Sequence, residues 1–586
     1  MRPGIRIDRR RVLGLALMVM SGAGCRQALA PAGPAGEAAF TVVEAGIPEV
    51  RAALDSGRIT SRQLVTQYLA RIGTYEDRIN AIITVNPGAL EEADRLDRER
   101  AAGRVRGPLH GIPIALKDNI HTTDIRTTGG ALAFATLMPP YDATLTTNLR
   151  EAGAIIIAKT VLTELAHWTA GPPTPMVANY TAVAGFAYNP YDPRMDPRPE
   201  TLDGRPVLST GGSSSGAGTA ASFWAASVGS DTGGSIISPS NATMLVGIRP
   251  TLGRISRYGI IPITADHDTA GPMARTVADA AILMGALESA SPDPNDAATT
   301  ACEPPPNRDY TAFLDGGALK GARIGIPRAF YYDRVKAPGD EARPEFKNGR
   351  GGLNADQAKV MAEAIALLKA QGAEVVDPVE IPSIVSQDPA SNFLLFDYCQ
   401  GAEHGKGGDA HCTANFKYGM KRDFNAWLAS LGDRAPVKSL TELREWNLAH
   451  AKMNAMRFGQ SRLDISDEMD VVRDRARNEA DTAKDRRLSR DEGLDAVLRA
   501  HELDAILTPG SSGANMAARA NYPIITVPFG MVPNAPTPPL PAGFNAKPAP
   551  FGVAFTGAAC SEPRLIALAY AFEQASRRRV PPLDMP

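Results

Sequence analysis

Residues 148–158 read NLREAGAIIIA, a sequence in which a helical segment ends at Gly153 and a strand follows at once. This strand, 154–158, is apolar at every position, and continuous apolar runs suit strands that helices cover on both faces. The same alternation returns towards the C-terminus, in segments 322–326, 356–371 and 374–376 and again in segments 494–501 and 505–507. It predicts an α/β protein, a single large three-layer α/β/α domain around a mixed, largely parallel twisted β-sheet.

Local sequence signals predict two helices before this segment and a loop near the C-terminus. A helix over 48–56 begins at a proline and stops before a glycine, and a second begins at residue 60 and runs to 72. The proline-dense segment 528–550 predicts a surface loop rather than a strand. The second helix is defined by a capping box, Thr60 and Gln63, and by buried positions, Leu64, Tyr68 and Ile72.

The composition is that of an ordinary globular protein. The 586 residues are 44% hydrophobic and 22% charged, which argues against a disordered, collagen-like or coiled-coil chain. With 62 basic and 64 acidic residues the formal net charge is −2, so the chain has no global electrostatic reason to bind nucleic acid or an anionic membrane. Its 54 glycines and 47 prolines predict many loops and turns.

The N-terminus contains the three regions of an export signal in order. Five arginines within the first eleven residues precede an apolar stretch, 12–20, and a small-residue cleavage site, 28–30, follows. Residues 8–13, DRRRVL, resemble a twin-arginine signal, which exports a folded protein. Residues 1–30 are therefore predicted to direct the chain to the periplasm or out of the cell, and residues 31–40 to form a linker. The alternative is a cytoplasmic chain with a frayed basic tail.

Export would place the cysteines in an oxidising compartment. Cys399 and Cys412 bracket a glycine-rich loop, and a local disulfide between them is the natural prediction. Cys560 is predicted to be a small buried hydrophobic residue, and Cys25 offers an alternative to cleavage, a lipid anchor. A metal site is the alternative to the disulfide, with ligands Cys399, His404, His411 and Cys412, although their spacing fits no standard zinc pattern.

Two glycine- and serine-rich stretches carry a pattern suited to acyl transfer. Residues 209–216 read STGGSSSG, and residues 229–236 read GSDTGGSI, where a turn after an apolar run ends in Ser235. Glycines before a serine can aim consecutive backbone N–H groups at one point, as an oxyanion hole requires. Upstream, Lys117 ends an apolar strand, where burial would lower its pKa and let the neutral amine act as a base.

The same segments have other interpretations. Glycine–serine stretches are often flexible loops, and a lone lysine often extends to the surface. Residues 212–216 also fit the G-x-S-x-G nucleophile elbow, with Ser214 as the nucleophile. That elbow needs a preceding strand, which 201–210 does not convincingly provide, and a downstream histidine, of which His267, His404, His411, His450 and His501 are available.

The sequence resembles the amidase-signature hydrolases. Their Gly-Gly-Ser-Ser stretch is similar to residues 211–214, their Asp-Thr-Gly-Gly-Ser to residues 231–235, and their lysine strand to the strand that ends in Lys117. The likeness covers roughly residues 40 to 290 well and 490 to 580 moderately, and GGSSSG and DTAGPM make it most similar to bacterial peptide amidases. Further matching segments are 247–251, 253–257, 268–279 and 571–575.

This resemblance implies a Ser–cis-Ser–Lys triad in an amidase that needs no metal or other cofactor. Ser235 would attack the amide carbonyl, Ser213, after a cis peptide bond, would relay the proton, and neutral Lys117 would accept it. Because the gap between the two serines is two residues shorter than usual, Ser214 stays open as the relay. The oxyanion would bind to the N–H groups of Thr232, Gly233, Gly234 and Ser235, and water would hydrolyse the acyl-enzyme.

Departures from the family pattern concern the substrate. Ile237 stands where many members carry an arginine, which favours a neutral or hydrophobic amide such as a peptide C-terminal amide or an aryl amide. Ser214 and Ile237 are predicted to bind the substrate. Insertions near 194–207 and 390–480 fall within the catalytic domain, 41–586. The first is a surface excursion or a lid, and the second is predicted to shape substrate choice.

Two other classes of protein account for parts of the sequence. An exported solute-binding lipoprotein would leave Lys117, Ser213 and Ser235 without a role. The amidotransferase component of the same family acts on charged tRNA with partner subunits, and the export signal and balanced charge oppose that assignment. The sequence thus predicts a monomer or homodimer that binds a small-molecule or peptide amide, with no nucleic-acid partner and no membrane span.

Overall fold

An eleven-stranded mixed β-sheet, surrounded by helices, dominates the computed structural model, which describes residues 39–201, 203–212 and 215–586. This confirms the predicted α/β fold class. The strands, numbered along the chain, are β1 (Ile82–Val85), β2 (Pro113–Lys117), β3 (Ile155–Thr160), β4 (Tyr180–Thr181), β5 (Gly185–Phe186), β6 (Ala226–Asp231), β7 (Val246–Arg249), β8 (Thr269–Ala274), β9 (Arg323–Pro327), β10 (Glu374–Val379), β11 (Ala505–Pro509), β12 (Ile524–Val532) and β13 (Ala549–Thr556).

The helices account for most of the remaining regular structure. The first two match the helices predicted from their proline and capping signals, and Thr60 and Gln63 form the expected capping box. The helices are α1 (Ile47–Asp55), α2 (Ser61–Ile79), α3 (Ala89–Ala101), α4 (Thr144–Glu151), α5 (Ser215–Ala220), α6 (Ile237–Ala242), α7 (Val277–Leu287), α8 (Arg328–Tyr331), α9 (Ala355–Ala370), α10 (Pro382–Val385), α11 (Asn415–Ser430), α12 (Leu440–Ala449), α13 (Ser461–Asp467), α14 (Arg475–Arg486), α15 (Asp495–Ala500), α16 (Ala514–Ala520) and α17 (Glu562–Ser576), with a π-helix over Arg487–Leu494.

The large sheet has the order β1-β3-β2-β6-β8-β7-β12-β13-β11-β9-β10, and β4 and β5 form a separate hairpin. Among the described strands, β2 is parallel to β3 and β6, and β9 is parallel to β10 and β11. The other six pairings of the large sheet are antiparallel, so parallel pairs are fewer than predicted. A parallel neighbour needs a crossover, and α4 and α9 provide it only towards the two ends of the sheet.

The strands that carry the candidate site lie in the core. Every residue of β2, β3 and β6 is buried, which agrees with the continuous apolar run that predicted β3. Since β2 and β6 are parallel neighbours, their last residues, Lys117 and Asp231, lie at the same end of the two strands, the carboxyl-terminal end.

The proline-dense segment is only partly a loop, so that prediction was wrong at both ends. Strand β12 continues through Pro528 to Val532, and β13 begins at Ala549. Pro528 is tolerated because the register of β12 shifts between Val527 and Gly530, where a residue without an N–H donor costs no ladder hydrogen bond. The remaining loop, 533–548, packs against the segment 194–207, which the sequence predicts to be an insertion. Asn534 Nδ2 donates to the Val207 carbonyl, and the Arg194 and Arg198 guanidinium groups donate to carbonyls of this loop.

Four cysteines form two disulfide bonds. Cys399 pairs with Cys412, and Cys302 pairs with Cys560 across 258 residues of sequence. The prediction for Cys560 was therefore wrong, since a pairing at that separation has no local sequence signal. The first disulfide leaves neither sulfur free as a thiolate ligand. Within the described ranges there is no group of three or more His, Cys, Asp or Glu residues suited to a metal ion.

The predicted export signal, Cys25 and most of the predicted linker lie outside the described residues. Within the part of the chain that is described, none of the helices is both long and apolar enough to cross a membrane.

Candidate active site

Lys117 is a fully buried cationic residue at the end of a strand. Its side chain has no exposed surface, and its Nζ donates a hydrogen bond to the Ser230 carbonyl at 3.1 Å. Burial lowers the pKa of Lys117 to about 8, although the carboxylates of Asp231 and Asp268 act in the opposite direction. An appreciable fraction of the amine is therefore neutral near neutral pH.

The segment 231–236, here named the catalytic turn, connects β6 to α6 and contains Ser235. The Asp231 carboxylate accepts the backbone N–H groups of Gly234 and Ile236, both at 2.7 Å, and thus closes the turn from inside. The same carboxylate accepts the Arg249 Nε at 3.2 Å, and both side chains are completely buried. A buried carboxylate is stable only when paired in this way, so Arg249 and the turn hold each other in place.

The backbone N–H groups of the catalytic turn do not all point to one place. That of Gly234 donates to Asp231, which corrects its assignment to the oxyanion hole. Those of Thr232, Gly233 and Ser235 donate to no residue that the structure describes. Gly233 is exposed and Ser235 half-buried, so this part of the turn is accessible to a ligand.

Asp268 supports the catalytic turn from the neighbouring loop. Its Oδ1 accepts the Thr232 hydroxyl at 2.5 Å, and its Oδ2 accepts the N–H groups of Ile263 and Thr264 at 2.8 and 2.9 Å. Burial raises the pKa of the Asp268 carboxyl to about 7, against the effect of these hydrogen bonds. Through Thr232, the carboxylate fixes the start of the turn.

Gly211 and Gly212, in the first glycine–serine stretch, lie close to the start of α6 and to Ser235. A Cβ atom at Gly211 would lie 2.5 Å from the Pro239 nitrogen, and φ is +80° at this residue, so only glycine fits. A Cβ atom at Gly212 would lie 3.1 Å from the Ser235 Oγ. Ser213 and Ser214, and the predicted cis peptide bond that precedes Ser213, lie outside the described residues.

Ile237 does not lie where the sequence predicted. Its side chain has no exposed surface and belongs to an apolar cluster with Met273, Ile524 and others, so it offers no surface to a substrate. The cause is the short α6 helix, which turns the position two residues after Ser235 inward against the sheet. The prediction that Ile237 binds the substrate was therefore wrong.

Three charged residues of the site received no role from the sequence. Asp231, Arg249 and Asp268 all lie in the motifs that matched the family, within 231–235, 247–251 and 268–279. The sequence signal that could have identified these residues is a charged side chain inside or beside an otherwise apolar strand. Such a residue is rarely buried without a partner.

Comparisons with known proteins identify the family of this chain. The family model described as Amidase matches residues 63–566. A probable amidase of Arabidopsis thaliana is 32% identical over 552 residues, 93% of this chain and 92% of the relative. A putative amidase of Arthroderma benhamiae is 31% identical over 530 residues, 89% of this chain and 80% of the relative.

Among solved structures, the native peptide amidase from Stenotrophomonas maltophilia superimposes with a TM-score of 0.74. It is 34% identical in sequence, and the match covers 92% of this chain and 98% of that one. These findings confirm the resemblance drawn from the motifs. The chain belongs to the Amidase family and is an amidase-signature amide hydrolase.

Proposed function

We propose that this protein hydrolyses neutral primary amides, in particular the C-terminal amides of peptides, through an acyl-enzyme on Ser235. The observation that carries the proposal is the completely buried Lys117 beside the catalytic turn. A lysine whose pKa falls to about 8 can accept a proton from a serine near neutral pH, and a fully charged surface lysine cannot.

In the proposed reaction, Ser235 Oγ forms a bond to the amide carbonyl carbon while its proton passes through Ser213 to Lys117. The N–H groups of Thr232, Gly233 and Ser235 stabilise the negative charge on the carbonyl oxygen. The C–N bond then breaks, and Lys117 returns its proton to the leaving amine. Water attacks the acyl-enzyme, Lys117 again takes the proton, and the carboxylic acid leaves as Ser235 regains its hydrogen.

The substrate class is inferred from similarity and from charge. The peptide amidase of S. maltophilia is 34% identical over nearly the whole chain. Asp231 is paired with Arg249, so the Asp268 carboxylate, which also acts on Lys117, is the negative charge that an anionic substrate would meet at this site. Because Ile237 is buried, its apolar character no longer contributes to this inference.

A panel of amides with purified protein tests the proposal. It should contain peptide C-terminal amides, aryl amides, fatty amides and free glutamine, with the Ser235→Ala variant as the control. We expect the peptide amides to release ammonia fastest and Ser235→Ala to release none above background. A preference for glutamine, or for aryl amides, would replace the proposed substrate class.

The same panel, together with a fluorophosphonate probe, separates the rival classes of protein. A solute-binding lipoprotein would bind ligand without turnover, and a fluorophosphonate probe would not label it. An amidotransferase component would need partner subunits and charged tRNA, so turnover of peptide amides by the purified chain alone counts against it.

We also propose that the chain is exported, with residues 1–30 removed from the mature protein. The proposal is supported by the order of charged, apolar and small-residue regions and by two disulfide bonds, which persist in oxidising compartments. N-terminal sequencing of the protein from cell fractions tests it. A periplasmic form that begins at Pro31 is expected, whereas an intact cytoplasmic chain with free thiols would refute it.

A further inference from the structure

Gly233 is the exposed residue of the catalytic turn, and an aromatic ring stands next to it. A Cβ atom built on Gly233 would lie 3.9 Å from Cζ of Phe416, which is ordinary van der Waals contact. Since the N–H of Gly233 is among those available to the oxyanion, the end of this ring borders the place where the substrate carbonyl would bind. Phe416 lies in α11, within the insertion near 390–480 that the sequence predicts to shape substrate choice.

Phe416 is one member of a group of three packed rings, here named the aromatic wall. Tyr398 stacks on Phe416 with ring centroids 4.7 Å apart and an interplanar angle of 12°, while Trp168 meets Phe416 edge-on at 5.1 Å and 60°. Offset stacking and edge-to-face contacts are the geometries that aromatic rings prefer. The wall therefore presents a defined surface rather than a set of independent side chains.

Neighbouring groups hold each ring in place. The residue after Tyr398 is Cys399, whose disulfide to Cys412 closes the loop. Trp168 Nε1 donates to Ser466 Oγ at 3.0 Å, and the Arg462 guanidinium lies over its ring at 5.1 Å.

The helix that carries Phe416 is fixed to the loop that supports the catalytic turn. The Ala265 N–H donates to the Asp423 carboxylate of α11 at 2.7 Å. The preceding residue, Thr264, donates its N–H to Asp268, which in turn accepts the Thr232 hydroxyl. The position of Phe416 relative to the turn is thus set by a short chain of contacts.

The exposure of the three rings differs in a way that suits a ligand. Trp168 and Phe416 are 2% and 6% exposed, whereas Tyr398 is only half-buried. A ligand ring placed against the exposed part of the wall would gain apolar burial, and edge-to-face contact as well. His267, whose ring lies 5.5 Å from that of Phe416, is buried, and burial lowers its pKa, so the wall has a neutral neighbour on that side.

We propose that the aromatic wall binds the acyl side of the substrate and makes this enzyme prefer amides with an aromatic or large apolar group next to the scissile carbonyl. The inference rests on the proposed function, because it places the carbonyl at the catalytic turn. For a primary amide the leaving group is ammonia, so the group that meets the wall has to belong to the acyl part.

The test compares two amides that differ only in this group, N-acetylphenylalaninamide and N-acetylglycinamide. We expect the wild-type kcat/KM to favour the phenyl compound by ~10-fold or more, and Phe416→Ala to remove most of that preference. Phe416→Leu, which retains apolar volume and protects the fold, should lose part of it. Phe424→Ala is the matched control, since Phe424 lies in the same helix and packs on Phe134 and Trp427.

The outcomes separate this inference from the proposed function. The proposed role of the aromatic wall would be refuted if the wild-type kcat/KM values for the two amides were nearly equal. It would also be refuted if Phe416→Ala, in a folded protein, left their ratio unchanged. If the wild type hydrolyses neither amide, the proposed function fails. Calorimetric measurement of the binding of both amides to Ser235→Ala then tests whether the aromatic wall binds the acyl group. Tighter binding of the phenyl compound that is lost in Ser235→Ala/Phe416→Ala would support this role of the aromatic wall. Equal affinities for the two amides would refute it.

Discussion

The catalytic turn and the aromatic wall meet at Gly233 but are held by different forces. The turn is fixed by buried charges and hydrogen bonds, with Asp231 paired to Arg249 and Asp268 to Thr232. The wall is fixed by ring contacts and by a disulfide beside Tyr398. Buried polar groups must all be satisfied, whereas apolar surfaces tolerate changes of shape. Changes in the turn should therefore cost catalysis, and changes in the wall should alter preference or stability.

Loss of Ser235, the proposed nucleophile, should have the largest effect. Ser235→Ala removes the atom that would form the acyl-enzyme, and we expect kcat for a peptide amide to fall by ~10⁴-fold or more. Ammonia release measures it. Ser238→Ala is a matched control three residues further along the same chain segment and should retain near wild-type activity. Comparable turnover by the two variants would mean that Ser235 is not the nucleophile.

Loss of Lys117, the proposed base, should have the second largest effect. Lys117→Ala should lower kcat by ~10³-fold, the typical contribution of a general base. Lys117→Arg should be as inactive, because an arginine stays protonated. Since the pKa of Lys117 is lowered to about 8, the neutral fraction grows as pH rises, and the wild-type kcat/KM should increase up to that pH and then level off. A flat profile from pH 6 to pH 9 would contradict the assignment.

A smaller effect is expected at Asp268, where two variants separate hydrogen bonding from charge. Asp268→Ala releases Thr232 and should lower kcat by ~10²-fold through misplacement of the turn. An asparagine can accept both loop N–H groups and donate to Thr232, so Asp268→Asn should keep most activity. Because the carboxylate raises the pKa of Lys117, the asparagine variant should shift the rising limb of the pH profile to lower pH. A shift to higher pH would contradict this electrostatic coupling.

The disulfides should affect turnover least and stability most. Replacing Cys399 and Cys412 by alanine opens a loop of 13 residues and should lower the free energy of unfolding by ~3 kcal/mol on the loop-closure model. The same change at Cys302 and Cys560 should cost ~5 kcal/mol because that loop is far longer. Denaturant unfolding measures both. Of the two replacements, only that of Cys399 and Cys412 should also reduce the preference for the phenyl amide, because Cys399 follows Tyr398 of the aromatic wall.

The two regions also differ in how far sequence predicts them. The apolar runs of β2 and β3, the capping box of α2 and the glycine-rich motifs are local signals, and they gave the fold class and the segments of the site. The burial of Ile237 and the use of the Gly234 N–H by Asp231 depend on how α6 packs against the sheet, which no local pattern encodes. The proximity of Phe416 to Gly233 brings together residues 183 positions apart and requires the fold itself.

The central claim is that Ser235 is a nucleophile activated by a neutral, buried lysine. The most direct measurement is labelling by a fluorophosphonate, with the modified residue located by peptide mapping and the rate followed as a function of pH. We expect the label on Ser235, a rate that rises with an apparent pKa near 8, and almost no labelling of Lys117→Ala. A label on another serine, or a rate on Ser235 that does not depend on Lys117, would contradict the claim.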